Sequence, residues 1–214
     1  MRRVSCFEPK TGPTYNLVIA CQTITVTNPA TTTGTVDTAF SQTFTQSGAN
    51  GTATFSTASA LDGLTLGTNG VLSGTPVQPG TFPITVTVTD SNGCTGTGPT
   101  YNLIISCQTI TVTNPTTTTG TVGTVFSQTF TQSGANGGAT FTTASTLPSG
   151  LTLATDGKLS GTPTQPGTFP ITVTVTDGGG CTGTGPTYNL VISCQTITVT
   201  NPATATGTRS LSGS

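Results

Sequence analysis

The sequence predicts an all-β chain of small antiparallel sandwiches in tandem, and three observations lead there. Apolar residues alternate with Thr along Phe82-Pro83-Ile84-Thr85-Val86-Thr87-Val88-Thr89 and along Thr23-Ile24-Thr25-Val26-Thr27. Each run therefore offers one face to a core and the other to water, as a half-buried strand does. Whole blocks recur: Gly12-Pro13-Thr14-Tyr15-Asn16-Leu17 returns at Gly98 to Leu103 and at Gly185 to Leu190. A Cys-Gln-Thr-Ile-Thr-Val-Thr-Asn-Pro run follows each block, beginning at Cys21, Cys107 and Cys194, spaced 86 and then 87 residues apart. Within each period, Gly, Pro and Asn mark turns at the short spacing of a β-sandwich.

In the first period the expected strands follow in order. Residues 22 to 27 alternate around Ile24 and Val26, 40 to 46 carry Phe40 and Phe44, and 53 to 57 centre on Phe55. Residues 64 to 66 place Leu64 and Leu66 after Gly63, and 70 to 73 bring in Leu72 after Asn69-Gly70. Residues 81 to 89 read as one long strand through Phe82, Ile84, Val86 and Val88, and 99 to 106 close the unit with Tyr101, Leu103 and Ile105. These apolar side chains form the expected core, each contributing roughly 1.5–3 kcal/mol on burial. The second period is one residue longer because Ala60-Leu61-Asp62-Gly63 becomes Thr146-Leu147-Pro148-Ser149-Gly150.

Composition narrows the function. The chain has 214 residues with 28 Gly, 14 Pro, no His and no Trp, and Thr stands at roughly every fourth position. Such a mixture suits disorder, but the strict alternation of the apolar runs argues for folded strands, with β-branched Thr at home on their wet face. Five cations against six anions give a net charge of -1, too little to draw in nucleic acid or anionic lipid by long-range field. No window is long and apolar enough to span a membrane. The start Met1-Arg2-Arg3-Val4-Ser5-Cys6 has the basic beginning of an export signal without the apolar stretch behind it. Six Cys in repeated positions, with no His and no C-x-x-C, fit disulfides in an oxidising compartment better than zinc. An extracellular or cell-surface location is expected.

The run Gly63-Leu64-Thr65-Leu66, then Gly70-Val71-Leu72-Ser73-Gly74-Thr75-Pro76, Pro79-Gly80-Thr81-Phe82 and Val86-Thr87-Val88-Thr89-Asp90, carries a further likeness. With Leu147-Pro148-Ser149-Gly150-Leu151 and Gly157-Lys158-Leu159-Ser160-Gly161-Thr162-Pro163 of the second period, it resembles the tandem immunoglobulin-like, cadherin-like domains of bacterial surface and secreted proteins. The resemblance implies immunoglobulin-like sandwiches serving as a stalk or adhesion module, and no reaction. The expected organisation is a partial repeat over 1–20 (a Cys loop plus a last strand) and immunoglobulin-like domains over 21–106 and 107–193. Residues 194–214 then supply the first strand of a further repeat and a polar tail. The end fragments read either as a segment of a longer array or as a head and a tail that engage neighbouring chains. Tyr101 to Val112 crosses from one domain to the next with neither Gly nor Pro, so a stiff rod is expected.

In a sandwich of this topology the first strand begins at the pole that carries the loop between the last two strands, and the last strand ends at the other pole. About nine residues of strand then separate Cys94 from Cys107 by roughly 25–30 Å, whereas a disulfide needs Cα atoms within about 7 Å. Cys21 with Cys94, and Cys107 with Cys181, are therefore the expected pairs. Each closes a loop of roughly 70 residues, worth roughly 4 kcal/mol in the chain-entropy account. Cys6 and Cys194 are complementary halves of the same bridge, expected to pair with neighbouring repeats or, head to tail, with each other in a filament.

Candidate chemistry is sparse. Glu8, Asp37, Asp62, Asp90, Asp156 and Asp177 are the only acids; Asp90 and Asp177 alone are repeat-equivalent, and both read as turn formers rather than catalytic acids. Too few carboxylates are available for calcium sites at the joints, and no His or Lys is placed to activate a Ser. No catalytic, cofactor or metal residue is assigned. The exposed runs Thr31, Thr32, Thr33 and Thr116, Thr117, Thr118, Thr119 either solubilise a charge-poor surface or carry O-linked glycans, and Asn50-Gly51-Thr52 is an N-linked sequon. Tyr15, Tyr101 and Tyr188 share one repeat position and are expected in the core. The expected role is a structural or adhesive spacer, stalk or fibre. The alternative is a carbohydrate-binding accessory module, which requires an exposed aromatic platform.

Overall fold

The computed structural model describes Gly12 and residues 15–200; the expectations for Cys6 and for the tail from Thr204 to Ser214 lie outside the described residues. The chain divides into two compact units, one mainly from residues up to Ile104 and the other mainly from Ile105 onward. Only strands are formed among the described residues. The first repeat comprises β1 (Thr25–Thr27), β2 (Thr33–Thr35), β3 (Phe40–Thr43), β4 (Thr45–Ser47), β5 (Thr54–Ser56), β6 (Leu64–Leu66), β7 (Val71–Gly74), β8 (Gly80–Ile84), β9 (Thr87–Thr89), β10 (Thr95–Thr97) and β11 (Tyr101–Ser106). The second comprises β12 (Thr111–Thr113), β13 (Thr119–Thr121), β14 (Phe126–Thr129), β15 (Thr131–Ser133), β16 (Thr140–Thr142), β17 (Leu151–Leu153), β18 (Lys158–Gly161), β19 (Gly167–Ile171), β20 (Thr174–Thr176), β21 (Thr182–Thr184) and β22 (Tyr188–Ser193).

In the first repeat β1 pairs antiparallel with β4, setting Val26 opposite Gln46. Strand β9 lies between β10 and β5, β11 between β2 and β8, and β7 between β3 and β6. The second repeat copies all four sheets; there β22 runs antiparallel to β19 and parallel to β13. Strands β1 and β10 approach so closely that a Cβ added to Gly96 would stand 2.2 Å from the Ile24 carbonyl oxygen, and glycine alone permits that approach. The alternation of the sequence reappears as burial: Tyr101, Leu103 and Ile105 of β11 point inward while Asn102, Ile104 and Ser106 face out.

The strands are shorter and more numerous than the periodicity suggests, for identifiable reasons. The run from Phe40 to Ser47 changes sheets midway: β3 pairs with β7 and β4 with β1. Phe44 sits at the crossing, fully buried, with its amide bonded to the Gly70 carbonyl at 2.9 Å. The run from Gly80 to Thr89 also breaks in two. At the break the Thr85 amide donates to Ser59 Oγ at 3.2 Å and the Thr85 carbonyl accepts from Thr57 Oγ1 at 2.7 Å. Side-chain hydroxyls thus replace ladder partners and let the chain pass from the sheet of β11 to that of β5. Strands β2 and β10 are both Thr-Gly-Thr, without the apolar alternation that marks a strand in sequence.

The core follows the expected list with three differences. Val36, absent from that list, is completely buried and donates its amide to the Ser106 carbonyl at 2.9 Å. Leu66 and Phe82 are only half-buried. Tyr15, expected in the core with its repeat equivalents, is 91% exposed, whereas Tyr101 and Tyr188 are each 2% exposed. Position within a repeat buries a Tyr only where the rest of that repeat surrounds it.

Candidate functional site

Each repeat has one polar, chemically distinctive end, built around a disulfide and a buried aspartate. Cys21, just ahead of β1, bonds to Cys94 in the β9–β10 hairpin, with Cα atoms 5.5 Å apart. Cys107 and Cys181 make the same link in the second repeat, also at 5.5 Å. Cys194 occupies the position equivalent to Cys21 and Cys107; its thiol is exposed and unbonded among the described residues.

Asp90 directly follows β9 and is buried, a costly location for a carboxylate unless hydrogen bonds replace its water. They do: Oδ1 accepts the amides of Asn92 at 2.9 Å and Cys94 at 3.0 Å, while Oδ2 accepts that of Asn50 at 3.1 Å. The first two bonds shape an Asx turn within the hairpin. The third fastens the hairpin to the separate turn after β4. Asp177 repeats the arrangement with Gly179 at 3.0 Å, Cys181 at 2.8 Å and Asn136 at 3.1 Å, and also accepts Gln108 Nε2 at 3.2 Å. Turn residues these aspartates are, yet they also act as clamps that order the backbone carrying the bridging Cys. Their signal in the sequence was their standing as the only repeat-equivalent acids.

The Asn50 amide lowers the Asp90 pKa below its ordinary 3.8, burial pushes the other way, and the Cys94 and Asn92 amides lower it further. A depressed carboxylate stabilises the fold fully above the pKa of the unfolded chain, and that stability is lost as pH falls through the folded value. Unfolding of the first repeat, followed by circular dichroism across an acid titration, should therefore become easier below about pH 4. Asp90→Asn should flatten that dependence while lowering stability at neutral pH; an unchanged acid profile would contradict the clamp.

Beside this bridge lies an open cleft of about 320 Å³, lined by Cys21, Gln22, Asn50, Asp90, Asn92 and Cys94 together with Ile19 and Ala20. No aromatic ring lines it. Tyr101 and Tyr188 are spent inside, each ring edge-on to a Phe (Phe44 and Phe130) at 5.3 Å. Their hydroxyls donate to the Thr31 and Thr117 carbonyls. The two complete repeats thus offer no tyrosine platform for a sugar. Burial raises both tyrosine pKa values above 10.0. A raised value means stability that is complete below the unfolded pKa and lost as pH rises through the folded one. Thermal unfolding should accordingly shift downward above pH 10, and Tyr101→Phe with Tyr188→Phe should abolish the shift.

The candidate glycan acceptors are exposed on pinned backbone. Thr31, Thr32, Thr33 and Thr116 to Thr119 all turn their side chains to solvent, while the Thr32 and Thr118 carbonyls accept from Ile104 at 2.8 Å and Val191 at 2.9 Å. Asn50 is exposed as well. Among the described residues no three His, Cys, Asp or Glu side chains converge as a metal site, and no helix is long and apolar enough to cross a membrane.

A family model described as "Putative Ig domain" matches residues 22–106 and again 108–193. No curated protein matches the chain. Among solved structures the chain is similar to Drosophila N-cadherin EC1-3, with 10% identity and a TM-score of 0.33, over 82% of this chain and 69% of that one. It is similar to murine CEACAM1b with 13% identity and a TM-score of 0.36, over 79% and 99%. A C-terminal intimin fragment, solved with the intimin-binding domain of its translocated receptor, gives 21% identity and a TM-score of 0.32 over 78% and 63%.

Proposed function

Because the chain belongs to the "Putative Ig domain" family, we propose that it is a structural or adhesive extracellular repeat protein, serving as a spacer, stalk or fibre-forming array rather than as an enzyme. One observation carries the reading. Each repeat is closed by its own bridge from the first strand to the last hairpin, and Cys107 follows directly on Ser106 at the end of β11. Repeats joined without a flexible spacer suit a role in holding distance. The bridges favour an oxidising, extracellular or cell-surface setting.

Its partners are neighbouring repeats of the same protein, including end-to-end association in which Cys6 of one chain bonds to Cys194 of the next. The sequence copy of β1 at the C-terminal side supports this, since residues 194–200 form no strand and Ile197 and Val199 are 86% and 82% exposed although their equivalents Ile24 and Val26 are buried. Thr31 to Thr33 and Thr116 to Thr119 are the positions where glycans would attach. Negative-stain imaging tests the spacer reading: two-lobed rods or beaded threads support it, and particles folded into a single compact body overturn it. Non-reducing gels of the chain and of Cys6→Ser test the covalent link, which predicts a ladder lost in the variant. The intact mass tests glycan attachment.

A further inference from the structure

Four Asn-Gly pairs occur in the two repeats: Asn50-Gly51, Asn69-Gly70, Asn92-Gly93 and Asn136-Gly137. Asparagine is a thermolabile residue, and a glycine after it has no side chain to shield the amide nitrogen that can attack the asparagine side chain. The four pairs are in different states. The Gly70 amide donates to the Gly67 carbonyl at 2.9 Å and the Gly93 amide to the Asp90 carbonyl at 3.0 Å. Asn69 is tied further, its Oδ1 accepting the Val71 amide at 3.2 Å. The Gly51 and Gly137 amides donate to no group among the described residues, and the side chains of Asn50 and Asn136 are likewise without a hydrogen bond there.

We propose that Asn50 and Asn136 are sites of self-modification by deamidation, while Asn69 and Asn92 are protected by the fold. The nitrogen of Gly51 or Gly137 attacks Cγ of the preceding Asn. The new N–Cγ bond forms as Cγ–Nδ2 breaks, and ammonia leaves with the proton from the glycine amide. Water then opens the cyclic imide at either carbonyl, leaving aspartate or isoaspartate. The balance is one ammonia lost and one water gained, with solvent water as the only co-reactant.

The two reactive turns are held differently. In the first, Ser91 Oγ accepts the Thr52 amide at 2.7 Å and would stand 2.4 Å from a Cβ on Gly51, so the space beside Gly51 is filled. In the second, Gly178 and Gly138 stand at those positions and the nearest atom to a Cβ on Gly137 is 4.0 Å away, but the Gly178 amide donates to the Asn136 carbonyl at 3.1 Å and Asn136 is half-buried where Asn50 is exposed. The modification reaches the aspartate clamp, because the amides of Asn50 and Asn136 are the ones that bind Asp90 and Asp177 across the two turns. A carboxylate arriving there faces a like charge, and isoaspartate lengthens the backbone of the turn by one methylene.

The test is peptide mapping by mass spectrometry of the intact chain held in mildly alkaline buffer, folded in one arm and denatured in urea in the other. The folded chain should gain one mass unit at Asn136 and at Asn50, and not at Asn69 or Asn92. In urea all four should react at similar rates. Reaction of Asn69 or Asn92 in the folded chain as fast as at Asn136 would overturn the proposal, and so would a folded chain inert at Asn50 and Asn136 whose denatured form reacts.

Discussion

Replacing both Cys21 and Cys94 with Ser should lower the unfolding free energy of the first repeat by about 4 kcal/mol. The bridge spans a sequence separation of 73 residues, nearly the whole repeat, so its loss restores to the unfolded chain the freedom of one long loop. The folded side loses as well. Only three residue pairs hold β1 to β4, and the bond at Cys21 fixes where β1 begins. Urea titration of the double variant should show the transition of one repeat moving to lower denaturant, with the other transition in place. The Cys107→Ser, Cys181→Ser variant should move the other. A loss below about 1 kcal/mol would mean that the unfolded chain is already compact enough to make the bridge redundant.

The bridges also mark how far the fold can be read from residues alone. Nine residues of extended chain between Cys94 and Cys107 cannot be folded back within bonding distance without abandoning the strand that Tyr101, Leu103 and Ile105 demand, and the same strand-and-pole reasoning arrives at the two bonds described above. Period-2 patterning located β1, β5, β6, β7 and β11 because each buries its own alternate residues. It missed β2 and β10 because Thr-Gly-Thr has nothing to bury: β2 is held by the backbone of β11, and β10 exists because Gly96 lets it lie against Ile24. It merged β8 with β9 because alternation continues unbroken through Thr85, where partners change from backbone to the hydroxyls of Thr57 and Ser59. A hydroxyl at long sequence separation leaves no local signature. The aspartate clamp was legible only as a repeated turn residue, since its bond to Asn50 joins positions 40 residues apart.

The aromatic pair in each core is the place where a single substitution should cost most. Phe130 is 1% exposed and stands at the point where the chain passes from β14 to β15, meeting the Tyr188 ring edge-on at an interplanar angle of 81°. Phe130→Ala removes the transfer energy of the ring and leaves a cavity that the bridged, multiply paired surroundings cannot collapse around, for about 3–5 kcal/mol. Tyr188→Phe keeps the ring contact and loses only the hydroxyl's bond to the Thr117 carbonyl. That carbonyl belongs to the exposed Thr116 to Thr119 run, where water can replace the hydroxyl, so the cost should be near 1 kcal/mol. The double variant should cost less than the sum, because without the Phe130 ring the tyrosine is no longer held with its hydroxyl at Thr117, and contacting residues couple in this way. Strict additivity in chemical denaturation would mean that the Tyr188 hydroxyl is positioned by the backbone of β22 alone and that the ring pair plays no part in holding the Thr run in place.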